Sequence, residues 1–180
     1  MEELAQRPEL RLLRPTSDYE AQVMAYRHVF LERDDALDGC GGLEDATSYA
    51  DWLNFAERLS AKYGDNYVSS VLFLAVRTSD DTVVGMVDIR LRLSEHLATY
   101  GGNIGYSVLP SQRRQGYATT MLALALGQCR SLGLDRVLLT CDSDNLGSIK
   151  VIEANGGVFE DEAATDSDPS EVVRRYWITP

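Results

Sequence analysis

IGYSVLPSQRRQGYA, residues Ile104–Ala118, is the stretch that decides how this chain folds. It begins as a short apolar strand, stops at Pro110, and passes through a polar loop holding Arg113, Arg114 and Gly116. A long amphipathic run follows at once. A helix that starts here leaves backbone N–H groups unpaired and points the positive end of its dipole at the loop. A glycine at that place lets a phosphate reach the main chain, because no Cβ stands in the way. Arg113 and Arg114 add charge and forked donors suited to phosphate. Strand, loop and helix together predict a pyrophosphate cradle. Two familiar cradles do not fit. No Gly-Lys-Ser/Thr occurs for a triphosphate loop, and a single glycine cannot make the G-x-G-x-x-G dinucleotide fingerprint.

Downstream, apolar residues at 118, 121, 122, 125, 126, 129 and 132 follow the helical i, i+3, i+4, i+7 spacing, and Gly133 ends the run. Arg136–Asp142 reads as a strand. Asn145–Asn155 reads as a short helix closed by Gly156-Gly157. Val158–Glu160 starts a strand, Glu160–Glu171 is an acidic loop, and Glu171–Ile178 is the last strand. Upstream, Val68–Thr78 is apolar and β-branched, a strand covered on both faces. Ser79–Thr82 turns it into a second strand over Val83–Leu93, and Ser94–Gly102 is a loop before the strand Asn103–Leu109. Glu9–Arg14 alternates and stops at Pro15. A helix capped by Ser17 or Asp18 runs to about Arg33, with Tyr19, Val23, Tyr26 and Phe30 as its apolar stripe. His28, within that helix, reads as a partly buried structural histidine. Asp34–Gly42 is a loop. A second helix begins at Asp45 or Thr47 and ends near Lys62, with Gly64 beyond.

The order is β, α, α, β, β, β, α, β, α, β, β. It predicts an α/β (α+β) fold, a mixed and mostly antiparallel sheet with helices on both faces. Residues 1–8 read as a flexible tail and 9–180 as a single domain, the size a chain of 180 residues favours. Lys plus Arg number 17 and Asp plus Glu 28, for a formal charge of −11. That balance argues against nucleic acid, whose binding rests on phosphate neutralisation by cations. The N-terminus is acidic with no apolar run behind it, so no signal peptide is read. Val71–Val76 falls far short of the roughly 20 apolar residues of a membrane helix. Cys40, Cys129 and Cys141 lack metal-ligand spacing and read as buried free thiols, which points to a reducing cytoplasm. No metal site is read.

Arg113-Arg114-Gln115-Gly116-Tyr117-Ala118 resembles the R/Q-x-x-G-x-G/A signature of the GNAT superfamily of N-acetyltransferases, with Ala118 in the last small position. Val108-x-Pro110 upstream and Asn145-x-x-Ser148 downstream stand at the spacing the family uses. The resemblance is clear over residues 83–160. It implies a GNAT-like sheet whose central strand pair splays apart, with acetyl-CoA as co-substrate in the V. The backbone of Tyr106, Ser107 and Val108 would then run beside the pantetheine arm. The Val108 amide would polarise the thioester carbonyl. The amides of Arg114, Gln115, Gly116, Tyr117, Ala118 and Thr119 would hold the pyrophosphate, with the Thr119 hydroxyl in reach of a phosphate. Asn145 would bond the pantetheine, although Asn is also an excellent helix cap.

The chain departs from the family where acid and base usually stand. The tyrosine that protonates the leaving thiolate is replaced by Ile152, and Ser148 is the nearest hydroxyl. The glutamate positions are Thr140 and Gly101-Gly102-Asn103. Asp142 shares the parity of Thr140 and is the candidate base, with Asp88 on the neighbouring strand second and a water chain as the alternative. Deprotonating a lysine-like amine of pKa ~10.4 at pH 7 costs roughly 4–5 kcal/mol, so the base matters. The implied activity is direct acetyl transfer to a primary amine, small molecule or peptide, with a non-catalytic acyl-CoA-binding module as the rival. Neither nucleic acid nor membrane is expected as a partner, and a homodimer is left open. Acidic loops at Asp34, Asp35, Asp38, Glu44 and Asp45, and at Glu160, Asp161, Glu162, Asp166, Asp168 and Glu171, point to a cationic acceptor.

Overall fold

The computed structural model describes residues 8–61, 68–165, 168 and 170–180. β1 (Leu10–Leu13) leads through a 3-10 turn into α1 (Glu20–Glu32), and α2 (Tyr49–Ser60) follows. Then come β2 (Ser70–Arg77), β3 (Thr82–Arg90), β4 (Ile104–Val108), α3 (Tyr117–Ser131), β5 (Val137–Asp142), α4 (Leu146–Ala154), β6 (Val158–Ala164) and β7 (Val172–Ile178). The element order is the expected one. The expected end of the second helix, Lys62 and Gly64, lies outside the described residues, as do residues 1–7 of the tail. Pro8 is partly covered and approaches the backbone of Gly116.

The unbroken apolar run of β2 has a simple cause. Side chains alternate between faces along a strand. Val71, Phe73 and Ala75 pack into a core with α3 and α4, while Leu72, Leu74 and Val76 pack into a second core with α1 and α2. Both faces are therefore covered, and no position calls for a polar residue. α1 contributes Val23, Tyr26 and Phe30 to the second core, and α2 contributes Tyr49, Trp52 and Ala56. Ser48 caps α2 by accepting from the Asp51 N–H at 3.1 Å, a cap worth about 1 kcal/mol.

The strands form two antiparallel sheets, β1-β2-β3-β4 and β5-β7-β6. They touch where β4 begins. The buried Asn103 gives its N–H to the Leu138 carbonyl at 2.7 Å, and its Oδ1 accepts from the Leu138 N–H at 2.8 Å. Its Nδ2 donates to the Arg90 carbonyl at 3.0 Å, so one side chain clasps β3, β4 and β5. Beyond this clasp β4 and β5 belong to different sheets and leave a gap. The splayed pair is thus present, with Asn103 at its apex.

Three local readings change. β6 extends to Ala164, into the stretch expected to be loop, because Asp161 and Glu162 stand opposite Arg175 and Arg174 of β7. β3 ends at Arg90, and Leu97–Gly101 forms a single π-helical turn. His28 is exposed rather than partly buried. It lies two residues from buried Tyr26, about 200° around the helix, and its Nε2 pairs with Glu32 Oε1 at 3.1 Å. No described helix is long and apolar enough to cross a membrane.

Candidate active site

The cradle is built by two backbone reversals. After the turn Pro110–Gln112 the chain enters the left-handed region at Arg114 (φ 65°) and again at Gly116 (φ 82°). Positive φ is uncommon for a residue with a Cβ. Gly116 precedes α3 without any side-chain cap, and the first helical bond runs from the Thr120 N–H to the Gly116 carbonyl. The N–H groups of Tyr117, Ala118 and Thr119 come before that bond and have no partner within the helix. They border a cavity of about 670 Å³, a size that suits a cofactor-scale ligand.

The side chains of the signature divide. Arg114, Gly116, Tyr117, Ala118 and Thr119 line this cavity, and Gln115 does not. Arg113 also reaches it, but its guanidinium is engaged: one nitrogen pairs with Asp35 at 2.7 Å and Nε donates to the Val108 carbonyl at 3.1 Å. These two bonds tie the α1–α2 loop to β4 and use two of the five N–H donors of the guanidinium. Tyr117 is buried, and its hydroxyl accepts from Arg77 at 3.0 Å, which anchors the start of α3 to the end of β2.

Along β4, register decides which main-chain groups are available. The Leu109 N–H bonds to the Val84 carbonyl at 2.9 Å and the Arg90 N–H to the Asn103 carbonyl at 2.7 Å. Odd-numbered residues therefore spend their backbone groups on β3, and even-numbered ones turn theirs toward the gap. Tyr106 and Val108 face the gap. Ser107 lines the large cavity as well, but its backbone groups are paired with Met86 of β3. Its side chain works on the opposite face. Ser107 Oγ accepts from the Tyr26 hydroxyl at 3.0 Å and donates to the Asp38 carbonyl at 2.6 Å. The α1–α2 loop is thereby strapped onto β4. Gly39 crosses Gly105 so closely that a Cβ there would lie 2.2 Å from the Gly105 carbonyl oxygen.

On the far wall, Asn145 caps α4, its Oδ1 accepting from the Ser148 N–H at 3.0 Å. Ser148 Oγ and the Tyr106 hydroxyl are 2.7 Å apart, a hydrogen bond that crosses the gap from α4 to β4. Both residues line the large cavity and also an adjoining one of about 270 Å³. Burial pushes the Tyr106 phenol up to about 12.

Asp38, Arg90, Tyr100, Thr140 and Asp142 line the smaller cavity. The Thr140 hydroxyl, where a family glutamate was expected, donates to the Tyr100 carbonyl at 2.8 Å. Asp142 borders both cavities and faces the same space as Asp38. The cleft walls and then the Asp142 charge raise the Asp38 carboxyl above its usual range. Asp88, the second candidate base, is buried and lines neither cavity. Most of the acidic loop charge is also spent elsewhere. Glu160, Asp161 and Glu162 pair with Arg175 and Arg174, and Asp168 bonds Ser170. Asp166 lies outside the described residues.

Sequence reasoning missed the Tyr106 phenol, having assigned that residue for its backbone alone, and did not separate Asp38 from its acidic neighbours. Strand parity could have placed the Tyr106 ring on the α4 side, since Ile104 and Val108 are core residues on that face.

Residues 9–158 match the family model described as an acetyltransferase (GNAT) domain. No curated protein sequence matches this one. Among solved structures, Mycobacterium smegmatis RimJ in complex with CoA-disulfide aligns at 20% identity and a TM-score of 0.68, over 94% of this chain and 81% of that one. A ribosomal-protein-S5-alanine acetyltransferase from Vibrio fischeri aligns at 16% identity and a TM-score of 0.65, over 94% and 91% of the two chains. A spermidine N-acetyltransferase chimera of Vibrio cholerae SpeG and hSSAT aligns at 15% identity and a TM-score of 0.62, over 94% of each. With a family match across most of its length, and the splayed β4–β5 pair and α3 cradle already in place, the chain belongs to the GNAT acetyltransferase family.

Proposed function

We propose that this protein transfers an acetyl group from acetyl-CoA directly to a primary amine, and that the amine is cationic. The observation that carries the reading is the gap beyond Asn103. It exposes the backbone of Tyr106 and Val108 along one wall and leads to the uncapped start of α3. The cofactors of related structures, CoA in the RimJ complex among them, are consistent with this. In this reading the amides of Tyr117, Ala118 and Thr119 hold the pyrophosphate, helped by the α3 dipole. Tyr106 and Val108 bond the pantetheine amides, and the Val108 N–H stabilises the oxyanion that forms when the amine attacks.

The acceptor comes through the smaller cavity, where Asp38 and Asp142 hold an ammonium group and Asp142 accepts its proton. Ser148 donates to the departing sulfur. Transfer is direct. Burial pushes the Cys141 thiol up to about 11, which keeps it protonated and unreactive near neutrality. Spermidine, which one of the structural relatives is named for acetylating, is a cationic amine of this class.

The test is thiol release from acetyl-CoA across a panel of amines: spermidine, a lysine-like amine, a peptide α-amine, and neutral and anionic controls. Release with the cationic members supports the reading. CoA binding with no release for any amine would favour the non-catalytic module instead. A preference for neutral or anionic amines would overturn the acceptor assignment.

A further inference from the structure

Ile152 leaves α4 without the phenol that its position would supply, yet a phenol stands in the gap all the same, on the opposite wall. Tyr106 reaches from β4 to within 2.7 Å of Ser148 Oγ. Its ring packs against the α3–α4 core, which fixes the hydroxyl in place. Ser148 is held in turn by its own N–H, bonded to Asn145 at 3.0 Å. The two hydroxyls are the only bridge between β4 and α4 that side-chain hydrogen bonds make among the described residues lining both cavities.

Building on the acetyl-CoA reading above, we infer that Tyr106 acts through Ser148 as a two-hydroxyl relay to the sulfur of CoA. Tyr106 is the positioning and proton-supplying member, and Ser148 is the one that meets the sulfur. The amine nitrogen forms a bond to the acetyl carbon, the C–S bond breaks, and its electron pair goes to sulfur. Ser148 Oγ gives its proton to sulfur and takes the Tyr106 proton. The bound ammonium gives one proton to Asp142 before it attacks and loses a second to water as the amide forms; the phenolate is reprotonated from water, so each turnover releases one proton net. A serine alone is a poor acid. Backed by a phenol that donates into its oxygen, it becomes a stronger donor, because hydrogen bonds in a chain polarise one another. Burial keeps that phenol protonated across the neutral range.

The charged and titratable groups that line the two cavities with the pair are Asp35 and Asp38 from the α1–α2 loop, Arg90 of β3, Tyr100 from the turn before β4, Cys141 and Asp142 from β5, Arg113, Arg114 and Tyr117 from the cradle, and Lys150 on α4. All stay unchanged in the variants that test the relay, so their effect on the sulfur is a common background.

The experiment needs no acceptor. CoA is bound to the wild-type protein, Tyr106→Phe, Ser148→Ala and the double variant, with affinity measured by calorimetry. The ultraviolet absorbance of the thiolate is then followed against pH. A donor aimed at sulfur stabilises the thiolate, so Tyr106→Phe should raise the pKa of the bound thiol by about one unit, a tenfold loss of thiolate at a given pH. Ser148→Ala should shift it at least as far, and the double variant no further than Ser148→Ala alone. Affinity for CoA below the thiol pKa should stay within about threefold. An unmoved titration in Tyr106→Phe, with CoA still bound, overturns the relay and leaves the acetyl-CoA reading intact. A double variant shifted by the sum of the single effects also overturns it, since the hydroxyls would then act separately. Failure of the wild-type protein to bind CoA overturns the acetyl-CoA reading, and the relay with it.

Discussion

Replacing Gly116 by aspartate should abolish CoA binding while leaving the fold nearly untouched, and the structure allows both effects to be sized. On the binding side, the new carboxylate sits at the residue just before the free N–H groups of Tyr117, Ala118 and Thr119. A carboxylate about 5 Å from one phosphate charge is repelled by roughly 3 kcal/mol at an effective dielectric of about 20. Physiological salt removes about half of that at such range, which leaves on the order of 1.5 kcal/mol for each phosphate of the pair. The sum is about 3 kcal/mol, or more than a hundredfold in Kd. On the folding side, a non-glycine residue at φ 82° costs on the order of 1 kcal/mol. An acidic group at a helix N-terminus returns about 0.3–1 kcal/mol. The new Cβ would come no closer than 3.4 Å to Pro8 Cδ, a contact that needs only a small adjustment. Net stability should therefore change by less than about 1 kcal/mol. Gly116→Ala is the control, since it carries the backbone strain without the charge and should weaken CoA binding by less than about fivefold. Calorimetry with CoA, paired with thermal melting, reads both quantities, and the Asp penalty should shrink as salt rises. If Gly116→Asp binds CoA as tightly as the wild-type protein, or if Ala and Asp weaken it equally, the cradle does not hold the pyrophosphate.

Three further outcomes follow from the same structure. Ser107→Ala strips the Tyr26 hydroxyl of its acceptor and leaves the Asp38 carbonyl only the longer contact from the Cys40 thiol, so urea unfolding should register a loss of about 1–3 kcal/mol; a neutral effect would mean the strap on β4 is not holding the loop. Asp38 holds its proton more tightly folded than unfolded, so its contribution to stability is full below about pH 4 and is lost as pH rises through its raised native pKa. Asp38→Asn should accordingly melt higher than wild type at pH 7 and no higher at pH 3, while turning over cationic amines more slowly; equal melting at both pH values would count against the raised carboxyl. With spermidine as acceptor, kcat/KM should fall as salt rises, and Asp142→Asn should lower it at low salt and flatten the salt dependence; a salt-insensitive rate would reduce the two aspartates to solvated surface.

The order of strands and helices was legible because each element carries its own periodicity. β2 declared two covered faces by its unbroken apolar run, and α3 declared one by its heptad-like spacing. The cradle was legible for a related reason: strand end, reversal, glycine and helix start are neighbours in sequence, and their backbone geometry depends on little else. Chain composition also pointed correctly to free, buried thiols at Cys40, Cys129 and Cys141.

What tertiary structure alone decided is where each side chain of the motif spends its bonds. Arg113 stands in the motif as a phosphate ligand, and the packing of α1 also brings Asp35, 78 residues away in sequence, against its guanidinium. Ser107 and Tyr106 looked equivalent until pairing with β3 turned the backbone of one into the sheet and of the other into the gap. Of the many loop acids, β6–β7 register neutralised Glu160, Asp161 and Glu162, and the strap across Gly105 carried Asp38 to the cavity. Tyr106 met Ser148 across 42 residues because the two sheets diverge beyond Asn103 and these two side chains bridge the gap. Periodicity and turn chemistry act between residues close in sequence, so a sequence carries them openly. A partner across a loop is chosen by how layers pack and how strands register, and those are properties of the whole chain at once.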